Sequence, residues 1–345
     1  MKKSLQTFGV AVGLVLAAGV GVRAADYRLA GRIALPGNGS WDYLTADPAA
    51  RRLYVTHGTC VHVLDLDTQK PVGEIAPTPG VHGVALAPEL GRGFTSNGAE
   101  ATVTVFDLKT LGRVGILRVN GTKPDAILYD PFTRRVFTFN GDSDNSSAFD
   151  AVTGEALGTI ELGGGPEFAV SDGAGHCFVN LEEEAEVVRF DPKKLEITAR
   201  WPLAPGATAT ALALDAGNHR LFAGCRSRVL VILDADTGAH IAELPIGGVV
   251  DAVALDTLRR RAFVACGEGV VNVIGWTDPA HYSVLATIPT RPGAKTLGYD
   301  AKTGRLYLSV ADFGPAPAAA PGQPNPRPPI LPGSFGLLVV EPAGG

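Results

Sequence analysis

The sequence predicts an all-β, seven-bladed β-propeller of four-stranded antiparallel blades, and three observations carry that prediction. An aromatic-led tetrad recurs seven times at steps of 40 to 44 residues: YVTH (54–57), FTSN (94–97), FTFN (137–140), FVNL (178–181), FAGC (222–225), FVAC (263–266) and YLSV (307–310). Around each copy, short alternating strands are separated by Gly, Pro, Asn and Asp, the punctuation of tight turns. The chain ends are complementary: 27–36, YRLAGRIALP, reads as a fourth strand with no first three before it, while the last repeat offers only three strands. A period near 40 residues marks a repeat whose single unit cannot bury both of its faces alone. The ring is therefore expected to close by the N-terminal strand completing the C-terminal blade, which also covers two exposed edges.

Within a repeat, the first strand ends near Asp47, Asp130, Asp172, Asp215, Asp256 or Asp300, and the second holds the tetrad. The third alternates and finishes on an acid, as in VHVLD (61–65), VTVFD (103–107) and LVILD (230–234). That acid opens a D-x-x-T turn at Asp65, Asp107, Asp150 and Asp234, where its carboxylate accepts backbone N–H bonds. A fourth strand such as VGEIA (72–76) completes the unit. Arg51, Arg52, Arg134, Arg135, Arg220, Arg259, Arg260, Arg261 and Arg305 recur in the turn between the first two strands, and recurrence beside an acid reads as turn and solvation chemistry.

These tetrads and D-x-x-T turns resemble the 40-residue YVTN-repeat β-propeller family of secreted or periplasmic seven-bladed proteins. The resemblance spans essentially the whole chain after its first 24 residues and departs at FVNL, FAGC, FVAC and YLSV, whose fourth residue is not Asn. It implies a binding scaffold rather than one reaction.

Composition agrees: 46% of residues are hydrophobic and 19% charged, with 43 Gly and 25 Pro, which suits a large buried β protein. Residues 1–24 read as a signal peptide, with Lys2 and Lys3 before an apolar run and Val22-Arg23-Ala24 as the cleavage site. Residues 25–345 are then one propeller domain, periplasmic or secreted, with no transmembrane segment and expected as a monomer. Loss of Lys2, Lys3 and Arg23 takes the net charge from −5 to about −8, which disfavours nucleic acid as a partner. A Pro-rich insertion at 313–332 interrupts the last blade, and Ile330, Leu331 and Phe335 give it apolar groups with which to dock.

A repeat protein supplies its own comparison: what recurs in every blade is architecture, and what varies at an equivalent position is free to serve function. Five residues before the end of each first strand stand Asp42, His82, Asp125, Glu167, Thr210, Asp251 and Lys295, polar in all seven blades but acidic, basic or neutral from one blade to another. Innermost strands line the channel, so these side chains are expected around one mouth of it. The tetrad's last residue is expected opposite, adding His57, Asn97, Asn140, Cys225 and Cys266. Asp42, His82, Asp125 and Glu167 combine carboxylate and imidazole in the manner of a divalent-metal site.

Loops on the same face look electrically lopsided, with Asp142, Asp144, Glu182, Glu183, Glu184 and Glu186 in blades three and four against Arg226 and Arg228 in blade five. That asymmetry suits a polar ligand or a basic protein partner. Cys60, Cys177, Cys225 and Cys266 show neither metal-type CxxC nor haem c CxxCH spacing and are expected as free thiols, with Cys266 the one considered as a metal ligand. No P-loop, Rossmann fingerprint, GxSxG elbow or HExxH is present. The reading is thus an exported binding protein that holds a small polar ligand or divalent metal ion in the funnel mouth. A metal-assisted hydrolase, lactonase or lyase and a protein-interaction scaffold are the alternatives.

Overall fold

The computed structural model describes residues 26–317 and 328–343; the signal-peptide reading and the middle of the Pro-rich insertion lie outside them. Strand β1 (Tyr27–Ala34) comes first, followed by β2 (Trp41–Asp47), β3 (Arg52–His57), β4 (Cys60–Asp65) and β5 (Pro71–Ile75), which form blade one as a four-stranded sheet in chain order. Five further blades repeat that order. The last sheet contains Leu297–Asp300, Arg305–Val310 and Gly336–Pro342, and β1 adds to it antiparallel as the outermost strand. The ring closes as expected.

The tetrad's aromatic builds the core of each blade: Tyr54, Phe94, Phe137, Phe178, Phe222, Phe263 and Tyr307 are all at most 2% exposed. The apolar clusters lie between neighbouring blades, as where Phe137 and Phe139 of blade three meet Val179, Leu181 and Phe190 of blade four. Each blade therefore buries its faces only against its neighbours, the physical reason the motif must be repeated around a ring.

The arginines are more than turn residues. Four of those that open the second strands reach the outer turn of the following blade: Arg52 donates to Leu108 O, Arg92 to Ala151 O (3.0 Å), Arg135 to Pro192 O (2.6 Å) and Arg220 to Pro279 O (2.9 Å). Arg261 donates instead to the Tyr27 hydroxyl and Arg305 to Glu341. Blade four has His176 at this position, and Arg189 from its third strand supplies the link to Asp236 O (3.0 Å) instead. Arg51 bridges to the buried Asp300 carboxylate of blade seven at 2.6 and 2.7 Å. Charge-assisted bonds to turn carbonyls fasten blade to blade, a role that solvation chemistry alone does not describe.

The described flanks of the insertion pair with each other, Phe313 with Ile330, and Gly314 N–H donates to Pro329 O at 2.8 Å. Phe313 and Phe335 both pack against Trp41, with ring centroids 6.2 and 5.4 Å away.

Candidate functional site

In six blades the first strand slips register just after it begins. Pairing jumps from Trp41 to Leu44, Val81 to Val84, Pro124 to Ile127, Pro166 to Ala169, Ala209 to Ala211 and Val250 to Ala252. Asp42, His82, Asp125, Glu167, Thr210 and Asp251 sit within these bulges, and Lys295 stands just before its strand. A bulge takes its extra residue out of the ladder and re-aims it. The freed backbone is satisfied by the tetrad's third residue: Asp42 N–H donates to Thr56 Oγ1 (3.2 Å), Gly83 N–H to Ser96 Oγ (2.9 Å) and Phe168 N–H to Asn180 Oδ1 (2.8 Å).

The result is a polar ring in two arcs. In blades one to three, His82 Nδ1 lies 2.7 Å from Asp42 Oδ2 and 3.5 Å from Asp125 Oδ1. One donor atom from each of the three falls within 4.8 Å of the others, a spacing a single metal ion can span. In the other arc, Glu167 shares a hydrogen bond with Glu182, Arg226 bridges Glu182 (2.7 Å) and Asp251 (3.1 Å), and Lys295 donates to Asp251.

Burial and crowding set the proton affinities. Burial and then the Asp42 charge push Asp125 up to about 7. Burial, then Asp125 and Glu182, push Glu167 up to about 10, so it keeps its proton at neutral pH. Burial opposes charge on His82, but the Asp42 hydrogen bond and the two carboxylates outweigh it and raise its pKa. Lys295 behaves likewise, with Asp251 and Asp42 overcoming burial.

Beneath the ring the axis is filled. Next to the ring position the blades carry Tyr43, Gly83, Ala126, Phe168, Ala211, Ala252 and Thr296, two aromatics among five small residues. Tyr43 and Phe168 meet edge to face with centroids 5.1 Å apart, and Tyr43 OH donates across the axis to Glu167 O at 3.2 Å. The small residues make room: a Cβ on Gly83 would stand 3.4 Å from Tyr43 Cδ2 and 3.1 Å from Ile127. Cavities of about 260 and 50 Å³ border the same two rings. Burial, then Asp125, Asp42 and Glu167, hold the Tyr43 phenol protonated far above its ordinary range. The ring is thus the floor of a cup, with Tyr43 and Phe168 as its base. Sequence reasoning passed over both, although their contrast with five small residues at one repeat position was there to find.

Several expected site residues do not join the ring. The tetrad's last residue pairs one position earlier than expected, His57 with Trp41, Asn97 with Val81 and Asn140 with Pro124, and a one-residue shift turns a side chain to the other face. Asn97 is buried and donates to Thr102 Oγ1 (3.1 Å) and Thr104 Oγ1 (2.9 Å) of its own blade. Asn140 donates to Asn145 Oδ1 (2.8 Å) and Ser147 Oγ (3.1 Å). His57 stacks on Phe335 at 3.8 Å in the wall of a cavity of about 350 Å³. Thr210 donates to Val250 O at 2.5 Å, and Cys225 and Cys266 are fully buried.

Glu167, expected with the metal-type set, turns to Glu182 instead. All four cysteines are free, and Cys60 opens β4. The lopsided loops are balanced in part: Glu182 pairs with Arg226 of the next blade, Glu186 with Arg200 of its own blade (3.4 Å), and Arg228 with Glu268 of blade six (2.5 Å). Asp142 lies 3.5 Å from Lys123.

No family model and no curated protein matches this chain. Solved structures do. A chain of Kuenenia stuttgartiensis hydrazine synthase aligns with TM-score 0.68 at 14% identity, covering 86% of this chain and 96% of its own. A chain of a mitotic checkpoint complex aligns with TM-score 0.74 at 12% identity, covering 99% and 98%. At such identities the likeness is one of fold alone.

Proposed function

We propose that this protein is an exported binding protein whose axial cup holds a small cationic ligand, a divalent metal ion foremost, on Asp42, His82 and Asp125. One observation carries the reading: bulges in three successive blades bring two carboxylates and an imidazole within a single ion's reach in a desolvated ring. Without a ligand, His82 hydrogen-bonds Asp42 and faces Asp125; a bound cation offsets the burial and the Asp42 charge that raise Asp125. Residues 1–24 support export to the periplasm or beyond, and the tetrads support kinship with YVTN-repeat propellers.

Titration calorimetry with Mn²⁺, an oxygen-preferring ion, tests the site. One equivalent is expected to bind with proton release, more tightly at pH 8 than at pH 6. Asp125→Asn should weaken binding at least ~10-fold, the scale on which a lost or loosened ligand is felt. Equal affinity in wild type and Asp125→Asn would remove the ring as the site.

A second reading, metal-assisted hydrolysis or elimination, is favoured by Glu167, a carboxyl that keeps its proton at neutral pH and is placed to act as a general acid. Lactone turnover lost in Glu167→Gln while Mn²⁺ affinity persists would support it. For the scaffold reading, Glu183 and Glu184 are the exposed acids of the blade-four loop, and salt-sensitive capture of a basic partner that their neutralisation abolishes is its test.

A further inference from the structure

Away from the ring, one face of blade one carries a second set of donors of a different chemical kind. Side chains alternate along β4, so Cys60 and His62 share a face, and β5 places Glu74 directly opposite His62 on that same face. Cys60 Sγ lies 3.7 Å from His62 Nε2, and Glu74 Oε2 lies 3.7 Å from His62 Nδ1. One donor atom from each of the three lies within 4.8 Å of the others. Tetrahedral coordination at ordinary Zn–S and Zn–N lengths sets sulfur and nitrogen roughly 3.5 Å apart, close to what the unligated side chains already adopt.

A second observation points to the same place. His57 pairs with Cys60 between β3 and β4, and its ring centroid lies 5.7 Å from that of His62. It is 1% exposed, yet neither ring nitrogen has a hydrogen-bond partner among the described residues; the carbonyls of Pro36 and Gly39 are near without completing a bond. A buried imidazole without a partner is costly and calls for a reason.

We propose that Cys60, His62 and Glu74 form a site for a zinc-type divalent transition-metal ion, with His57 beside the open fourth position. A thiolate, an imidazole and a carboxylate select such an ion over calcium or magnesium, which take oxygen donors. Glu74 is half exposed and can swing onto an arriving ion, while buried His62 provides the fixed point. The sulfur separates this site from the axial ring, which offers only carboxylates and imidazole.

Cobalt spectroscopy on the reduced full-length protein tests the proposal independently of the ring. One equivalent of Co²⁺ should give a strong near-ultraviolet thiolate-to-metal charge-transfer band. Cys60→Ser should abolish it, His62→Gln should weaken Co²⁺ binding at least ~10-fold, and Asp125→Asn should leave it intact. No band in the wild type, or a band that survives Cys60→Ser, overturns the proposal.

Should Cys60→Ser fail to fold, the wild type supplies its own readout. Cys60 is the partly exposed cysteine, the other three being buried, so it is the thiol that alkylates in the native state. Saturating Zn²⁺ should slow that reaction at least tenfold, and an unchanged rate overturns the proposal.

Discussion

The outer turns and the axial ring both place carboxylates at strand ends, and the protein treats their charge in opposite ways. In the turns, Asp65, Asp107 and Asp150 each accept the backbone N–H of the residue three further on, at 2.7 Å in all three, and that of the residue two further on, at 2.8 to 3.1 Å. These donors favour the ionised form and hold all three below the ordinary aspartate range. In the ring, Asp125 and Glu167 are half-buried and set among other acids, and both are pushed the other way, to about 7 and about 10. The turn aspartates stabilise the fold at neutral pH; the ring acids weaken it. A feature that costs stability in the free protein and has no packing role is where binding chemistry is to be sought.

The largest expected effect comes from removing the base of the cup. Tyr43→Ala deletes a buried aromatic against Phe168 and should cost about 3 kcal/mol in urea unfolding, within the usual range for such truncations. Water then reaches the ring, so the Asp125 titration, followed by carboxyl NMR, should fall from about 7 toward its ordinary value of 3.8. Tyr43→Phe, which loses only the bond to Glu167 O, should leave that titration near its wild-type position. An Asp125 value unmoved by Tyr43→Ala would assign its shift to the Asp42 charge rather than to burial.

Glu167→Gln tests the ring's cost directly. The folded-state value of about 10 lies above the ordinary 4.5, so between these limits the native protein holds a proton that the unfolded chain gives up. Stability is then full below about pH 4.5 and is lost as pH rises toward 10. Glutamine is neutral throughout and still offers a donor to Glu182. The variant should match wild type at pH 4 and exceed it by on the order of 2 kcal/mol at pH 8. A variant that keeps the wild-type slope between these pH values would show that Glu167 is ionised in the native state.

Much of this architecture was legible because the chain repeats. Tyr54 and its six counterparts could be aligned without structure, and burial of every one at the heart of its blade follows from that alignment. The ring position was legible too, since polarity at Asp42, His82, Asp125, Glu167 and Asp251 survived where apolar alternation would have been the default. What could not be read was the register beyond it. The bulge at Asp42 lets the strand pair Trp41 with His57 and then resume at Leu44, a two-for-one step that no alternation pattern announces. His57, Asn97 and Asn140 were misplaced for that one reason. Arg52 and Arg135 looked like solvated turn residues because their partners, Leu108 O and Pro192 O, are backbone atoms more than fifty positions away.

The smallest expected effect is the one that completes the comparison. Asp150 Oδ1 accepts two backbone N–H bonds in an outer turn, from Val152 at 2.8 Å and Thr153 at 2.7 Å, and its pKa is lowered. Its contribution is therefore present above the ordinary carboxylate range and lost as pH falls through the lowered value, the reverse of Glu167. Alanine is the informative replacement, because asparagine keeps an acceptor in place. Asp150→Ala should lower the melting temperature by roughly 1–2 °C at pH 7, a small shift for an exposed turn in a chain of this size, and by progressively less as pH is taken below 4. Measured beside Glu167→Gln, the two variants should diverge from wild type in opposite directions at neutral pH and converge on it in acid. A turn variant whose deficit instead persisted unchanged into acid would mean that its loss is one of turn geometry and not of charge, leaving the ring alone as the place where ionisation governs stability.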